Sequence, residues 1–387
     1  QLRTHAHTHR PAPTPHTMLD LPHPNPANTT PISMMKYDTY EESFRQFIRD
    51  CPEERLDESA RYVFLSDLHM GNGGKRDDLA PNRELIEGML ESWYLPRDYT
   101  LVLNGDIEDL SKFSLQSIRL AWPRLLEIIA KFAERNRLRK IIGNHDYDLS
   151  PRKDYPWAMI PGLVYRVGDN RIFVFHGHQA SSLYVKYDFV SDFLIRYFVK
   201  PLRIRNSGVS RDSRRRFRTE RRIYRAARTL GVMAVTGHTH RPLFESLAKY
   251  DNIRIKIEAL LSRLSDAPLD EKKDLTKQIL LYKNEMDKLA AVKDREKKTQ
   301  SLYGTGPFLI PCIFNSGCAT GKHGITALEI ADGRISLLYW TTQETARPYI
   351  ANEALATEIS GGSFYRHILK RETLDAIFTR IELLADT

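Results

Sequence analysis

Five short clusters of Asp, Asn and His fall between residues 67 and 240 of this chain: Asp67-Leu68-His69, Gly105-Asp106-Ile107-Glu108-Asp109, Gly143-Asn144-His145-Asp146, His176-Gly177-His178 and Gly237-His238-Thr239-His240. Carboxylate, amide oxygen and imidazole together form a donor set of intermediate softness. It suits Mn, Fe, Zn or similar ions rather than Ca. A carboxylate such as Asp106 can bridge two ions about 3.5–4 Å apart, the spacing used for in-line displacement at phosphorus. Such ions activate water and neutralise phosphate oxygens as charge builds. The leaving oxygen still needs a proton. His145, held by the backbone beside Asn144, is an imidazole of the right type.

Each cluster sits where a strand should end. The runs 61–66, 99–104, 138–142, 171–175 and 232–236 are short, β-branched or aromatic, and lead straight into Asp67, Gly105, Gly143, His176 and Gly237. Buried strands have this composition. Helical patterns cover 83–95 and 115–136, so strand and helix alternate and the fold class is α/β, with ligands collecting outside the strand ends. After residue 311 short strands follow one another (312–316, 325–330, 335–340), which predicts a second sheet packed on the first.

Taken singly, each cluster is an ordinary strand-end cap or turn. Together and in order, D-x-H, G-D-x-x-D, G-N-H-D, a lone His and G-H-x-H resemble the pattern of the calcineurin-like metallophosphoesterase superfamily, over residues 61–345. The resemblance implies a four-layer α/β/β/α sandwich with helical insertions. It implies two divalent ions, Mn first with Fe or Zn as alternatives. Asp67, His69 and His240 would bind one ion, Asn144, His176 and His238 the other, and Asp106 would bridge. The implied reaction is hydrolysis of a phosphoester or phosphoanhydride by in-line attack of a hydroxide held between the metals. His145 would be the leaving-group acid and Asp109 its orienting carboxylate. Asp146 fills the motif's last acidic position, His178 reads as a neighbour of the site or a loop residue, and His323 as structural or solvent-facing. The protein-phosphatase branch extends its second motif to G-D-x-x-D-R-G, whereas Leu110-Ser111 follow Asp109 here.

Charge is concentrated in one place. Residues 185–230 hold 14 Arg and Lys against 4 Asp and Glu, while the whole chain carries +9. An apolar stretch around Phe189–Val199 precedes the run Arg214–Arg218, so segment 183–230 is expected to form a basic helical cap near the site. Arg203, Arg215 and Arg218 are its candidate substrate contacts, since guanidinium binds phosphate bidentately. An apolar helix beside them could receive acyl chains or lie on an anionic bilayer. Nucleic acid and a solvated basic face are the competing readings. Pro201, Leu202, Arg203 and Arg205 resemble the cap of UDP-2,3-diacylglucosamine pyrophosphohydrolases, which typically carry Arg where this chain has His145. That resemblance implies a lipid-linked nucleotide substrate at the membrane surface.

A second insertion, 250–300, shows apolar steps of 4 and 3 on both sides of Ser265–Asp270. It is expected to be an antiparallel helical hairpin that could serve a homodimer. The remaining divisions are a His/Pro/Thr-rich tail (1–35) expected to be disordered, a helical segment (36–60) and a C-terminal helical extension (346–387). Three cysteines without framework spacing, no apolar run of about 20 residues and no signal-peptide pattern lead to a cytoplasmic expectation, with peripheral contact to the inner membrane face. Three functional classes follow: a phosphoester or phosphoanhydride hydrolase of a small or lipid-linked phosphate substrate, a nuclease, and a non-catalytic scaffold.

Overall fold

The computed structural model describes residues 40–180, 213–247, 249–291, 309–321, 324–342, 351–355 and 364–385. The tail 1–35, the apolar stretch 189–199, Arg203, His323 and the charged run 293–298 lie outside them.

Two sheets form the centre. The first has the order β1-β5-β6-β7-β8, from Glu53–Arg55, Gly162–Val167, Asn170–Phe175, Met233–Thr236 and Ile313–Asn315. The second has the order β11-β12-β10-β9-β2-β3-β4, from Ala351–Leu355, Tyr365–Thr373, Arg334–Thr341, Ile325–Ala331, Tyr62–Leu65, Thr100–Asn104 and Leu138–Ile141. Strands β2, β3 and β4 pair in parallel, as do β6, β7 and β8. Both parallel groups therefore deliver their C-terminal ends to one edge of the molecule.

Side-chain alternation explains the layering. Along β2, Tyr62 and Phe64 join one apolar cluster with Tyr165, Phe173 and Phe175 of the facing sheet, whereas Val63 and Leu65 join a second. The second cluster is closed by α2 (Arg83–Gly88), α3 (Leu115–Ala121) and α4 (Pro123–Glu134), through Leu85, Ile86, Ile118, Leu125, Ile129 and Phe132. On the other side α1 (Tyr40–Asp50) packs Phe44 edge-on against Phe173 and Phe175, at centroid distances of 5.4 and 5.3 Å. Each buried Phe contributes about 1.5–3 kcal/mol, so the sandwich rests on its continuous apolar runs. Two sheets flanked by helices make the α/β fold expected from the strand–helix alternation.

Several local expectations need correction. The strands after 311 do not make a separate sheet: β8 extends the first and β9–β12 extend the second. The reason is that hydrogen-bonding edges of β7 and β2 remain open, and added strands complete them. The helical pattern over 115–136 is broken at Trp122, because Pro123 lacks an N–H and instead begins a new helix. Within 36–60 the helix ends at Asp50, and β1 then pairs with β5. Residues 346–387 supply β11 and β12 before α8 (Leu374–Leu384). Arg366 of β12, 4% exposed, tolerates burial because it pairs with Glu329 at 2.7 Å.

The Arg-rich half of segment 183–230 is α5 (Ser213–Thr229), and it belongs to the sandwich rather than lying over it. Ile223, Tyr224, Ala226 and Ala227 are buried in the core. Parallel neighbours β6 and β7 require a crossover, and α5 provides its return limb. Beyond β7, α6 (Lys249–Asp266) and α7 (Leu269–Ala291) run antiparallel, with Lys249 bound to Glu285, Lys256 Nζ 3.2 Å from Tyr282 Oη, and Arg263 bound to Glu271.

Candidate metal centre

The strand-end turns fold by exchanging backbone hydrogen bonds. Asp67 N donates to Gly105 O and His69 N to Asp106 O, at 3.1 and 3.0 Å, and Gly237 N donates to His176 O at 2.9 Å. Asp67, His69, Asp106, His238 and His240 all have φ between 51° and 66°. For residues other than glycine this left-handed conformation costs about 1–2 kcal/mol each, and such strain gathers at functional sites. Close approach fixes the glycines too. A Cβ on Gly143 would meet Asp106 N at 2.1 Å, and one on Gly105 would meet the His176 ring at 2.5 Å.

The predicted Asp and His ligands of the five motifs, with His145, converge there. Asp67, His69 and His240 form one group whose ligand atoms lie within 4.8 Å of one another, and Asp106, His176 and His238 form a second. His240 Nε2 lies 3.1 Å from Asp67 Oδ1 and 3.1 Å from His69 Nε2. Asp106 Oδ2 stands 3.2 Å from His176 Nε2 and 3.9 Å from His69 Nε2, so it faces both groups. Its other oxygen accepts from His145 N at 2.8 Å. Asn144, between Gly143 and His145, keeps Oδ1 buried without a hydrogen-bond partner, as does His238 Nε2. Buried acceptors without donors are costly. They fit a site built around cations.

The electrostatics agree. Burial opposes charge on Asp67, yet His240 and His176 outweigh it and hold the carboxyl down at about 2. Asp106 is held well below the carboxylate range despite burial, by His176 and His145. Burial would depress His176, but Asp106 raises it to about 9. Burial dominates at His69 and His238, which fall to about 4 and 3 and stay neutral, the form that ligates. Burial would depress His240 as it would His176, but a carboxylate, Asp67, raises it. Two imidazoles are thus held neutral and two exchange a proton for a cation. With the fixed carboxylate anions they make a donor set for a divalent metal.

His145 lies within the same 4.8 Å grouping as His69 and Asp106 and is paired with Asp109. Its Nδ1 donates to Asp109 Oδ1 at 2.9 Å, and Nε2 lies 3.9 Å from Asp106 Oδ2. Burial works against protonation of His145, but Asp106 and the hydrogen bond to Asp109 raise its pKa. Burial likewise disfavours the Asp109 anion, and bonds from His145, Lys112 and Ser111 reverse that and lower it. Ser111 Oγ donates to Asp109 Oδ1 at 2.5 Å, and Lys112 Nζ lies 2.8 Å from Oδ2.

Other residues took no part in the motif reading. Asn104 donates across the sandwich to Phe175 O at 3.2 Å, and its carbonyl accepts from His176 Nδ1 at 2.8 Å, which turns Nε2 into the site. Asn315 donates to Gly237 O at 2.7 Å and holds the His238–His240 turn. Glu220 of α5, fully buried, accepts from Thr239 Oγ1 at 2.7 Å and from Arg241. Asn104 could have been suspected from a polar residue ending an apolar run. Asn315 and Glu220 carry no local signal. Asp146 caps both turns, its oxygens accepting from Ile107 N at 2.8 Å and Gly143 N at 2.7 Å, and burial pushes its pKa up to about 6. The buried His178 ring lies 5.5 Å from that of His176. Arg215 and Arg218 are outside the cluster, on the exposed face of α5.

No helix among the described residues is long and apolar enough to cross a membrane. No curated protein matches the chain. The solved structure of Yfce, a phosphoesterase from E. coli, aligns at 13% identity over 71% of this chain and 91% of its own, with a TM-score of 0.30, too low to carry an argument. The model of the calcineurin-like phosphoesterase family matches residues 60–242, the stretch that holds every motif above. The match over that stretch supports a phosphoric ester hydrolase, and its clustered Asp and His residues suit a divalent metal.

Proposed function

We propose that this enzyme uses two divalent ions, Mn first among the candidates, to hydrolyse a phosphoester or phosphoanhydride on a small or lipid-linked substrate. The observation that carries this reading is Asp106, whose Oδ2 faces both ligand groups at 3.2 and 3.9 Å. Asp67, His69 and His240 would hold one ion, Asn144, His176 and His238 the other, and Asp106 would be shared. Bound there, the ions would supply positive charge for activating water and neutralising phosphate oxygens.

The chain's own residues do the rest. His145, oriented through Nδ1 by Asp109, presents Nε2 toward the centre, where it can protonate the leaving oxygen. Asp109 and the residues bound to it keep the ring in one tautomer. Arg215 and Arg218, in the first turns of α5, are the described candidates for holding the rest of an anionic substrate. Their helix is tied to the metal turn through Glu220 and Arg241.

The test is metal-dependent hydrolysis of p-nitrophenyl phosphate, bis-p-nitrophenyl phosphate, UDP-diacylglucosamine and single-stranded DNA, with metal content measured on the same sample. Two ions per chain with turnover of any phosphoester supports the mechanism. Preference for the lipid nucleotide supports the lipid-linked substrate, and preference for DNA would replace it with a nuclease reading. One ion per chain at full activity would sink the shared role of Asp106.

A further inference from the structure

Beneath the turns that carry Asp106 and Asn144-His145 lies a charge cluster that the hydrolytic chemistry leaves unused. Lys140 is fully buried, with Nζ 2.6 Å from Glu108 Oε2 and 3.8 Å from Asp146 Oδ2. Glu108 is itself 1% exposed, and its other oxygen accepts from Tyr155 Oη at 2.6 Å. An ion pair so deeply buried is a poor source of stability, because desolvation offsets its attraction. Its position is more informative than its energy. Glu108 lies between Asp106 and Asp109, Lys140 sits on β4 opposite Leu103 of β3, and Asp146 follows His145. Asp146 then binds one amide from each turn, Ile107 N and Gly143 N. At Gly143 the turns are so close that no side chain would fit. A fixed ammonium between Glu108 and Asp146 therefore sets how far apart the two turns stand.

We propose that Lys140, acting through Glu108 and Asp146, is a positioning residue. It fixes the separation of Asp106 from Asn144 and His145, and with it the affinity of the site for divalent metal. This rests on the assignment of Asp106 and Asn144 as ligands made above. Removing an outer partner of a metal ligand typically costs about 10–100-fold in affinity or activity.

Lys140→Met, Glu108→Gln and the double variant separate positioning from simple stability. Lys140→Met strands two buried carboxyl groups and should lower the thermal midpoint most, whereas Glu108→Gln leaves the ammonium with Asp146 alone and should lower it less. The double change removes the Lys140–Glu108 pair at similar shape, leaves Asp146 its two amide donors, and should recover most of the loss seen in Lys140→Met. Co2+ binding, followed by absorption titration, should nevertheless stay about 10-fold or more weaker in the double variant, with a similar loss in kcat and little change in KM. If the double variant binds Co2+ and turns over like wild type, the pair serves stability alone and the proposal is overturned. If none of the three folds, Tyr155→Phe removes only the outer hydrogen bond to Glu108. A few-fold weaker Co2+ binding at an unchanged midpoint supports the proposal, and unchanged binding overturns it. Wild-type protein that takes up no Co2+ would instead sink the metal reading of the site, a separate result.

Discussion

The strand-end turns and the hairpin helices α6 and α7 are both rich in charge, and they use it differently. At the turns, Asp67, Asp106, Asp109, Lys140 and His176 are 2% exposed or less, and each has a fixed geometry. On the helices, pairs such as Arg263–Glu271 have side chains 65% and 42% exposed. An exposed pair contributes about 0–1 kcal/mol, because water screens it and two long side chains must be ordered. A buried group left without its partner costs several times more. The turns are therefore brittle and specific, and the helices tolerant.

The sharpest test of this contrast is Asp106→Asn. Loss of the shared carboxylate should lower turnover by about 10²–10³-fold or more and reduce bound metal, read by steady-state kinetics and elemental analysis. Activity near wild type would mean that Asp106 is not a shared ligand. His145→Ala comes next, with an expected loss of about 10²–10⁴-fold on substrates with poor leaving groups. Loss on p-nitrophenyl esters should be far smaller, since p-nitrophenolate leaves without a proton. Equal losses on both would remove His145 as the acid.

A smaller effect concerns pH. His176, raised to about 9, carries a proton at neutral pH in the metal-free protein, and a protonated imidazole cannot ligate. Metal affinity should therefore rise as pH rises toward 9, with proton release on binding, seen by calorimetry in buffers of different ionisation enthalpy. Binding with no proton release across that range would contradict the role given to His176. Glu220→Gln keeps the shape but weakens the tie between α5 and the Thr239–Arg241 turn. It should destabilise by about 1–3 kcal/mol in denaturant unfolding, with a modest loss of kcat. Least of all, Arg263→Ala on the hairpin should change stability by about 1 kcal/mol or less and leave kinetics unchanged. A large effect there would give the hairpin a role that its exposure does not suggest.

Much of this molecule was legible in the chain. Apolar runs running directly into Asp67, Asp106, Asn144, His176 and His238 specify both buried strands and the side chains at their ends, because strand composition and turn chemistry are local properties. The convergence of those ends followed from parallel pairing. What lay beyond local reading depends on distance along the chain. Glu220 meets Thr239 across a helix and a strand, Asn315 reaches Gly237 from 78 residues away, and Lys140 finds Glu108 from 32. An isolated Lys or Glu carries no mark of burial; only packing removes its water and makes one partner matter. The same holds for α5, whose arginines suggested a cap. Its four buried apolar residues are too few to announce a core helix, and it became one because parallel β6 and β7 need a crossover between them. Sequence determined which atoms stand at the strand ends, and tertiary structure decided what holds them at their separations, since that support comes from pairings that exist only once the sheets have closed.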